Sequence, residues 1–358
     1  MRSFSVDPCC LRLRASPEEV RMGTATPGDV LLAHITDAHV TPRGRATAVL
    51  KHQSVPIFED LIQQLLERGV DAALFGGDNI DNRDSGPEDV EIFAQLAERL
   101  PRFHCILGNH EADSKKANQI TREDFAARLA GRGFSSGQYC FSEAVGNVRV
   151  IGIDTTLVGT HGGYVSPRMM QYLAKELRLA EEDHVVVLGH HLLYRTWEPH
   201  VLQAWDQEYL VGNRAEVIAL LASTPKVRAY LCGHHHASRI QRIAARGHAG
   251  GFYHILTASP AAFPHHARLL AFRADGIHVA TLQPRIPGII EAGREAVLVG
   301  RKARRYATLG SSQTFLQYVE GRPSDNEIVL PYDAAPVAER RGISVASGAR
   351  TLALETMR

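Results

Sequence analysis

Short, almost wholly apolar runs alternate with amphipathic stretches along most of this chain. Residues 30–36 (VLLAHIT), 72–75, 103–107, 185–188 and 227–231 read as buried strands, because each is short, mostly apolar and closed by glycine or a polar residue. Residues 57–67 carry apolar positions at helical spacing. Ser85-Gly86-Pro87-Glu88 reads as a capping box opening a helix to Leu100, and Thr121-Arg122-Glu123-Asp124 opens another in the same manner. Ser166-Pro167 starts a helix to Leu179 with proline at the first helical position. Residues 138–141 and 148–153 read as the arms of a hairpin around Gly146-Asn147. A helix over 213–222 is followed by β segments at 239–243, 252–256 and 269–272, with 277–282 after a turn at Asp275-Gly276. Strands and helices in this order predict an α/β fold of two packed sheets flanked by helices.

The texture changes after Pro284. Residues 284–358 hold scattered proline and glycine, a basic run over 301–305 and a hairpin signal around 321–326. The chain therefore divides into an N-terminal segment (1–27), a main domain (28–283) and a C-terminal extension of unknown structure (284–358).

Composition narrows the class. With 358 residues, 44% of them hydrophobic, the chain can bury the core of one large domain with an appendage. Forty Lys plus Arg oppose 39 Asp plus Glu, so the basic stripe of a general nucleic-acid binder is not expected. The five cysteines fit neither a zinc ribbon nor a disulfide framework, and Cys105 and Cys232 lie in apolar runs as small core residues. No apolar stretch reaches the ~18 residues that span a bilayer, and the first residues lack a secretory layout. A cytoplasmic location without membrane association is expected.

Eighteen histidines are many for this length, and their positions carry the functional signal. Five apolar runs lead directly into potential metal ligands: Asp37-Ala38-His39, Gly77-Asp78-Asn79-Ile80-Asp81, Gly108-Asn109-His110-Glu111, Gly189-His190-His191 and Gly233-His234-His235-His236. In α/β sheets, sites form beyond the carboxyl ends of strands, so five distant segments are expected to converge at one edge. Carboxylate and imidazole suit zinc, manganese or iron, with no thiolate on offer. One carboxylate can bridge two ions ~3.5–4 Å apart, the spacing of two-metal hydrolases.

These five elements, in this order, resemble the calcineurin-like metallophosphoesterase family, whose pattern is D-x-H, G-D-x-x-[DN], G-N-H-[DE], a later histidine after a strand, and G-H-x-H. The resemblance covers roughly residues 30–282 and implies a four-layer αββα sandwich, with 28–283 as the catalytic domain. It implies two divalent ions (manganese, iron or zinc), one held by Asp37, His39, Asp78 and His236, the other by Asp78, Asn109, His190 and His234. Asp78 then bridges them together with a hydroxide that attacks phosphorus, and His110 faces the phosphate and assists the leaving group.

Asp81, Glu111 and His191 are candidates for support or substrate contact, Asp81 and Glu111 either behind the ligands or facing solvent and His191 at the rim. Alternation turns His235 away from His234 and His236. Asp154 either orients a ligand or caps a turn, and His265-His266, following a strand, read as a surface loop, with lining of the substrate pocket as the alternative. Purple acid phosphatases of the same plan carry tyrosine three residues after the bridging aspartate, where this chain has Asp81. The beginning at Asp37 and the ending at His236 look closer to bacterial cyclic-nucleotide and small-diester phosphodiesterases. A small phosphodiester is therefore the expected substrate. The alternatives are a phosphomonoesterase acting on a metabolite and a non-catalytic scaffold of the same fold. The extension is expected either to reach over the site or to mediate homo-oligomerisation.

Overall fold

A computed structural model describes residues 28–45, 47–112, 118–135, 137–197, 204–244, 251–307 and 314–332. The N-terminal segment 1–27, with Cys9 and Cys10, lies outside the described residues, as does 333–358.

Two six-stranded sheets form the centre. The first has β1 (Val30–Ile35), β2 (Ala72–Phe75), β3 (Phe103–Cys105), β10 (Ala267–Arg273), β11 (Gly276–Leu282) and β12 (Ile328–Leu330), in the order β12-β11-β10-β1-β2-β3. The second has β4 (Phe141–Val145), β5 (Val148–Gly152), β6 (His184–Leu188), β7 (Val227–Cys232), β8 (Arg239–Ala244) and β9 (Gly251–Leu256), in the order β4-β5-β6-β7-β9-β8. Strands β1, β2 and β3 run parallel in the first sheet, and β5, β6, β7 and β9 in the second. The strands that precede the candidate ligands thus end on the same side within each sheet.

Strand alternation explains the layers. Leu32 and Leu74 point between the sheets, where they share a core with Val186, Leu188, Leu231 and Leu270. Their neighbours Ala33, Ile35, Ala73 and Phe75 face the other way, onto helices α1 (Ser54–Arg68) and α2 (Gly86–Ala97). Phe58, Phe75, Phe93, Phe103 and Phe125 are fully buried in this outer core, each contributing on the order of 1.5–3 kcal/mol. On the far side, α4 (Pro167–Leu179) and α6 (Arg214–Ala222) cover Val185, Val187 and Tyr230. The result is the expected α/β sandwich.

Local differences from the sequence reading have physical reasons. The first hairpin arm begins at Phe141, because the pairing centred on Gly146-Asn147 runs Val145↔Val148 outward to Phe141↔Gly152. Ser85 precedes α2, but its hydroxyl donates to the Asp89 carboxylate (2.9 Å) instead of closing a capping box. Thr121 does form one with Asp124, opening α3 (Arg122–Arg128).

Among the described residues, the C-terminal extension is built into the fold. Helices α7 (Ile289–Leu298), α8 (Arg301–Ala307) and α9 (Phe315–Glu320) contribute Val297, Tyr306, Phe315 and Tyr318 to the outer core of the second sheet. Where a hairpin was read around 321–326, a helical turn, α10 (Pro323–Asn326), leads into β12, which extends the first sheet through β11. Asp325, buried on α10, accepts from the backbone of Ile240 on β8 (2.9 Å), so the extension ties both sheets together.

Candidate metal centre

Each candidate ligand leaves its strand through a tight turn. Asp37, His39, Asp78, His234 and His236 all have positive φ, between 46° and 66°. Asp and His tolerate this region better than most residues, yet it costs of order 1–3 kcal/mol each and persists only when the surroundings over-determine it. They do so here. Asp37 N–H donates to the Gly77 carbonyl (2.9 Å), and His39 N–H to the Asp78 carbonyl (3.0 Å). His234 N–H donates to Asp37 Oδ2 (2.8 Å), and His110 N–H to Asp78 Oδ1 (2.8 Å). Gly108 admits Asp78: a Cβ on it would lie 2.2 Å from the Asp78 nitrogen.

Glu111 anchors these turns. Its Oε2 accepts from the backbone N–H groups of Gly108 (2.7 Å) and Asp78 (2.9 Å), and its Oε1 from Ile80 (3.1 Å). Glu111 is fully buried, not solvent-facing. Burial first, then the charge of Asp78, raises its carboxyl to about 8 despite the three donors.

The side chains meet in groups. Asp37, Asp78, His190 and His234 present ligand atoms within 4.8 Å of one another, and so do Asp37, His39 and His236. His190 Nε2 lies 3.4 Å from Asn109 Oδ1, 3.5 Å from Asp78 Oδ1 and 3.2 Å from His234 Nδ1. His236 Nε2 lies 3.2 Å from both Asp37 Oδ1 and His39 Nε2. All seven sequence-derived candidates therefore surround one edge of the sheets.

The donor set fits divalent ions. His190 Nδ1 donates to the Gly76 carbonyl and His234 Nε2 to the Glu208 carbonyl, both at 2.8 Å. A carbonyl can only accept, so the tautomers are set with His190 Nε2 and His234 Nδ1 turned towards each other. Only a proton or a cation between them relieves the repulsion of two lone pairs. Backbone-anchored imidazoles of this kind are typical of metal ligands. Burial foremost holds His39 and His234 well below the usual imidazole range, in the neutral form that binds metal.

His190 behaves differently. Burial opposes its charge, but Asp78, Asp37 and the Gly76 carbonyl outweigh it and raise the ring to about 9. A metal ion must displace that proton. Loading the protein with manganese near neutral pH, well below that value, is expected to release close to one proton from this ring, and affinity to weaken roughly tenfold per pH unit as pH falls further. Calorimetry in buffers of different ionisation enthalpy measures the release; pH-independent binding would contradict the assignment.

The remaining candidates separate clearly. His110 Nδ1 donates to the Asp81 carbonyl (2.9 Å), which turns Nε2 towards Asp78 Oδ2 at 3.9 Å. Asp81 is buried and ion-paired with Lys51. His191 is buried away from the rim, with Nδ1 at Thr155 Oγ1 (2.8 Å) and Nε2 donating to the His161 carbonyl (3.0 Å). His235 points into an aromatic cage of Trp197, Trp205, Tyr209 and Tyr318. Asp154 caps its own turn through Thr156. His265 and His266 are buried, which corrects the surface-loop reading: they bond the Pro260 carbonyl and Ser238. Lys51 and His161, whose Nδ1 is 3.2 Å from Asn109 Nδ2, carry no sequence signal because neither stands directly after a strand.

Two paired-sheet layers whose strand ends assemble carboxylates and imidazoles into adjoining metal-binding groups define a metal-dependent hydrolase fold. The calcineurin-like phosphoesterase pattern matches residues 30–238, and the chain belongs to that family. It is 23% identical over 215 residues to the probable glycerophosphodiester phosphodiesterase GpdQ of Arcobacter nitrofigilis, covering 58% of this chain and 72% of that protein. It is 28% identical over 193 residues to the tartrate-resistant acid phosphatase type 5 of Sus scrofa, covering 47% of this chain and 53% of that protein. Its fold matches that of a dimetal phosphatase from Danio rerio with a TM-score of 0.57 at 17% identity, covering 70% of this chain and 95% of that one. Among the described residues, no helix is long and apolar enough to cross a membrane.

Proposed function

We propose that this protein hydrolyses a small phosphodiester at two divalent metal ions. The observation that carries the reading is the opposed pair His190 Nε2 and His234 Nδ1, 3.2 Å apart, beside Asp78 Oδ1. Asp37, His39, Asp78 and His236 would hold one ion, and Asp78, Asn109, His190 and His234 the other. Their oxygen and nitrogen donors suit manganese, iron or zinc. Bound there, such ions neutralise phosphate charge and lower the pKa of water towards neutrality.

The chain's own residues do the rest. Glu111 holds the Asp78 and Gly108 turns, and Thr36, which donates to Asp37 Oδ2 (2.8 Å), leaves Oδ1 for the site. The Asp81 carbonyl keeps a proton of His110 on Nδ1 and turns Nε2 to the site; as imidazolium the ring would carry a second proton there for a departing alkoxide.

The diester preference rests on the phosphodiesterase relative, which aligns over more of this chain than the acid phosphatase does. It also rests on Lys51, whose buried ammonium is committed to Asp81 and does not supply the extra charge that a monoester dianion favours. The acid phosphatase relative keeps a metabolite monoesterase as the second reading. Hydrolysis of bis(p-nitrophenyl) phosphate and p-nitrophenyl phosphate by the manganese-loaded protein separates the two. Faster turnover of the diester is expected; faster turnover of the monoester would overturn the preference. Failure on both, with two ions bound, would count against catalysis.

A further inference from the structure

Lys51 opens the 3-10 turn Lys51–Gln53 directly before α1. The preceding Leu50 fixes that turn: its N–H donates to the Ala261 carbonyl (2.7 Å), and its carbonyl accepts from Gln53 N–H (2.8 Å). From there the side chain runs inward. Lys51 is 8% exposed and Asp81 1%, and the ammonium bonds Asp81 Oδ1. Desolvating two charges offsets most of their attraction, so a buried ion pair is weak evidence of a purely stabilising role.

Its surroundings supply another role. His39, Asp81 and His110 each present a ligand atom, all within 4.8 Å of one another, which makes a third group able to hold a cation. Asp81 Oδ1 is 3.5 Å from His110 Nδ1, and His39 Nδ1 is buried with no hydrogen-bond partner among the described residues. Two imidazoles and a carboxylate are a common zinc or iron ligand set. The ammonium already sits on that carboxylate. It offers protons and no lone pair, and its charge repels a divalent ion sharing the same oxygen.

We propose that Lys51 is a built-in cation that keeps the His39–Asp81–His110 group free of metal. His39 is then left to the Asp37 and His236 group, and His110 Nδ1 stays on the Asp81 carbonyl, which sets the direction of Nε2. The inference rests on the two-ion reading above. An ion in the third group would instead take His110 Nδ1 from the Asp81 carbonyl and loosen the orientation of the ring.

Metal content per chain, measured by inductively coupled plasma mass spectrometry after equilibration with zinc and gel filtration, tests it. Two ions are expected in the wild type and in Lys51→Arg, three in Lys51→Met, and two again in Lys51→Met combined with Asp81→Asn. Two ions in both wild type and Lys51→Met would overturn the proposal, as would three in the wild type. Fewer than two in the wild type would instead remove the two-ion reading, and the proposal with it. Lys51→Gln keeps a hydrogen-bond donor on Asp81 and removes only the charge. It decides the matter where Lys51→Met fails to fold: three ions support the proposal and two overturn it.

Discussion

Asp78→Asn is expected to lose nearly all turnover while keeping its fold. The Asp78 backbone has φ 49°, a conformation that asparagine adopts as readily as aspartate. The substitution therefore leaves the turn intact and removes a charge. That charge faces His190 at 3.5 Å and His110 at 3.9 Å, and its Oδ1 accepts the His110 backbone N–H. Altering a group behind a metal ligand costs roughly 10–100-fold. Losing a carboxylate shared between two ions should cost at least that at each, so turnover falls by about 10²–10⁴-fold. Bound metal, measured on the purified variant, should fall in parallel. A variant with full metal content and near-normal turnover would show that Asp78 does not lie between the ions.

His110→Ala is expected to act differently. It should keep both ions, because His110 Nδ1 is engaged with the Asp81 carbonyl (2.9 Å) and its Nε2 lies 3.9 Å from Asp78. Turnover should fall by about 10²–10⁴-fold on a substrate with a poor leaving group, the range for a positioned general acid. On a p-nitrophenolate ester, which leaves without a proton, the loss should be much smaller. Equal losses on both substrates would assign His110 to phosphate binding instead. The two variants thus separate metal retention from proton delivery.

Much of this site can be read from the sequence because of where its residues stand. Asp37, Asp78, Asn109, His190 and His234 follow short apolar strands, and parallel strands deliver their carboxyl ends to a common edge. What could not be read is what holds those residues. Glu111 looks like a turn residue, yet it is buried under three backbone N–H groups from two different loops. Lys51 lies in an unpatterned stretch and reaches Asp81 only because the Leu50 backbone fixes the Lys51–Gln53 turn before α1. His161 is brought to Asn109 by the long loop between β5 and α4, well beyond the end of the strand.

The extension shows the same limit. Helices α8 and α9 are short, and their stability comes from Tyr306, Phe315 and Tyr318 entering a core whose other half is Trp197, Trp205 and Tyr209. No periodicity within the segment reports that partner. Packing also explains His265 and His266, which follow a strand and look exposed by type: the chain folds His265 beneath α7, where a Cβ on Gly293 would meet its ring at 1.9 Å, and sets His266 against Ser238 (2.9 Å).

The central claim is that two ions act together at this edge. It is tested most directly by titrating the metal-free protein with manganese while following hydrolysis of bis(p-nitrophenyl) phosphate. The account predicts no turnover without metal and a rate that rises to saturation at two equivalents per chain. Saturation at one equivalent, or turnover that survives exhaustive chelation, would contradict it.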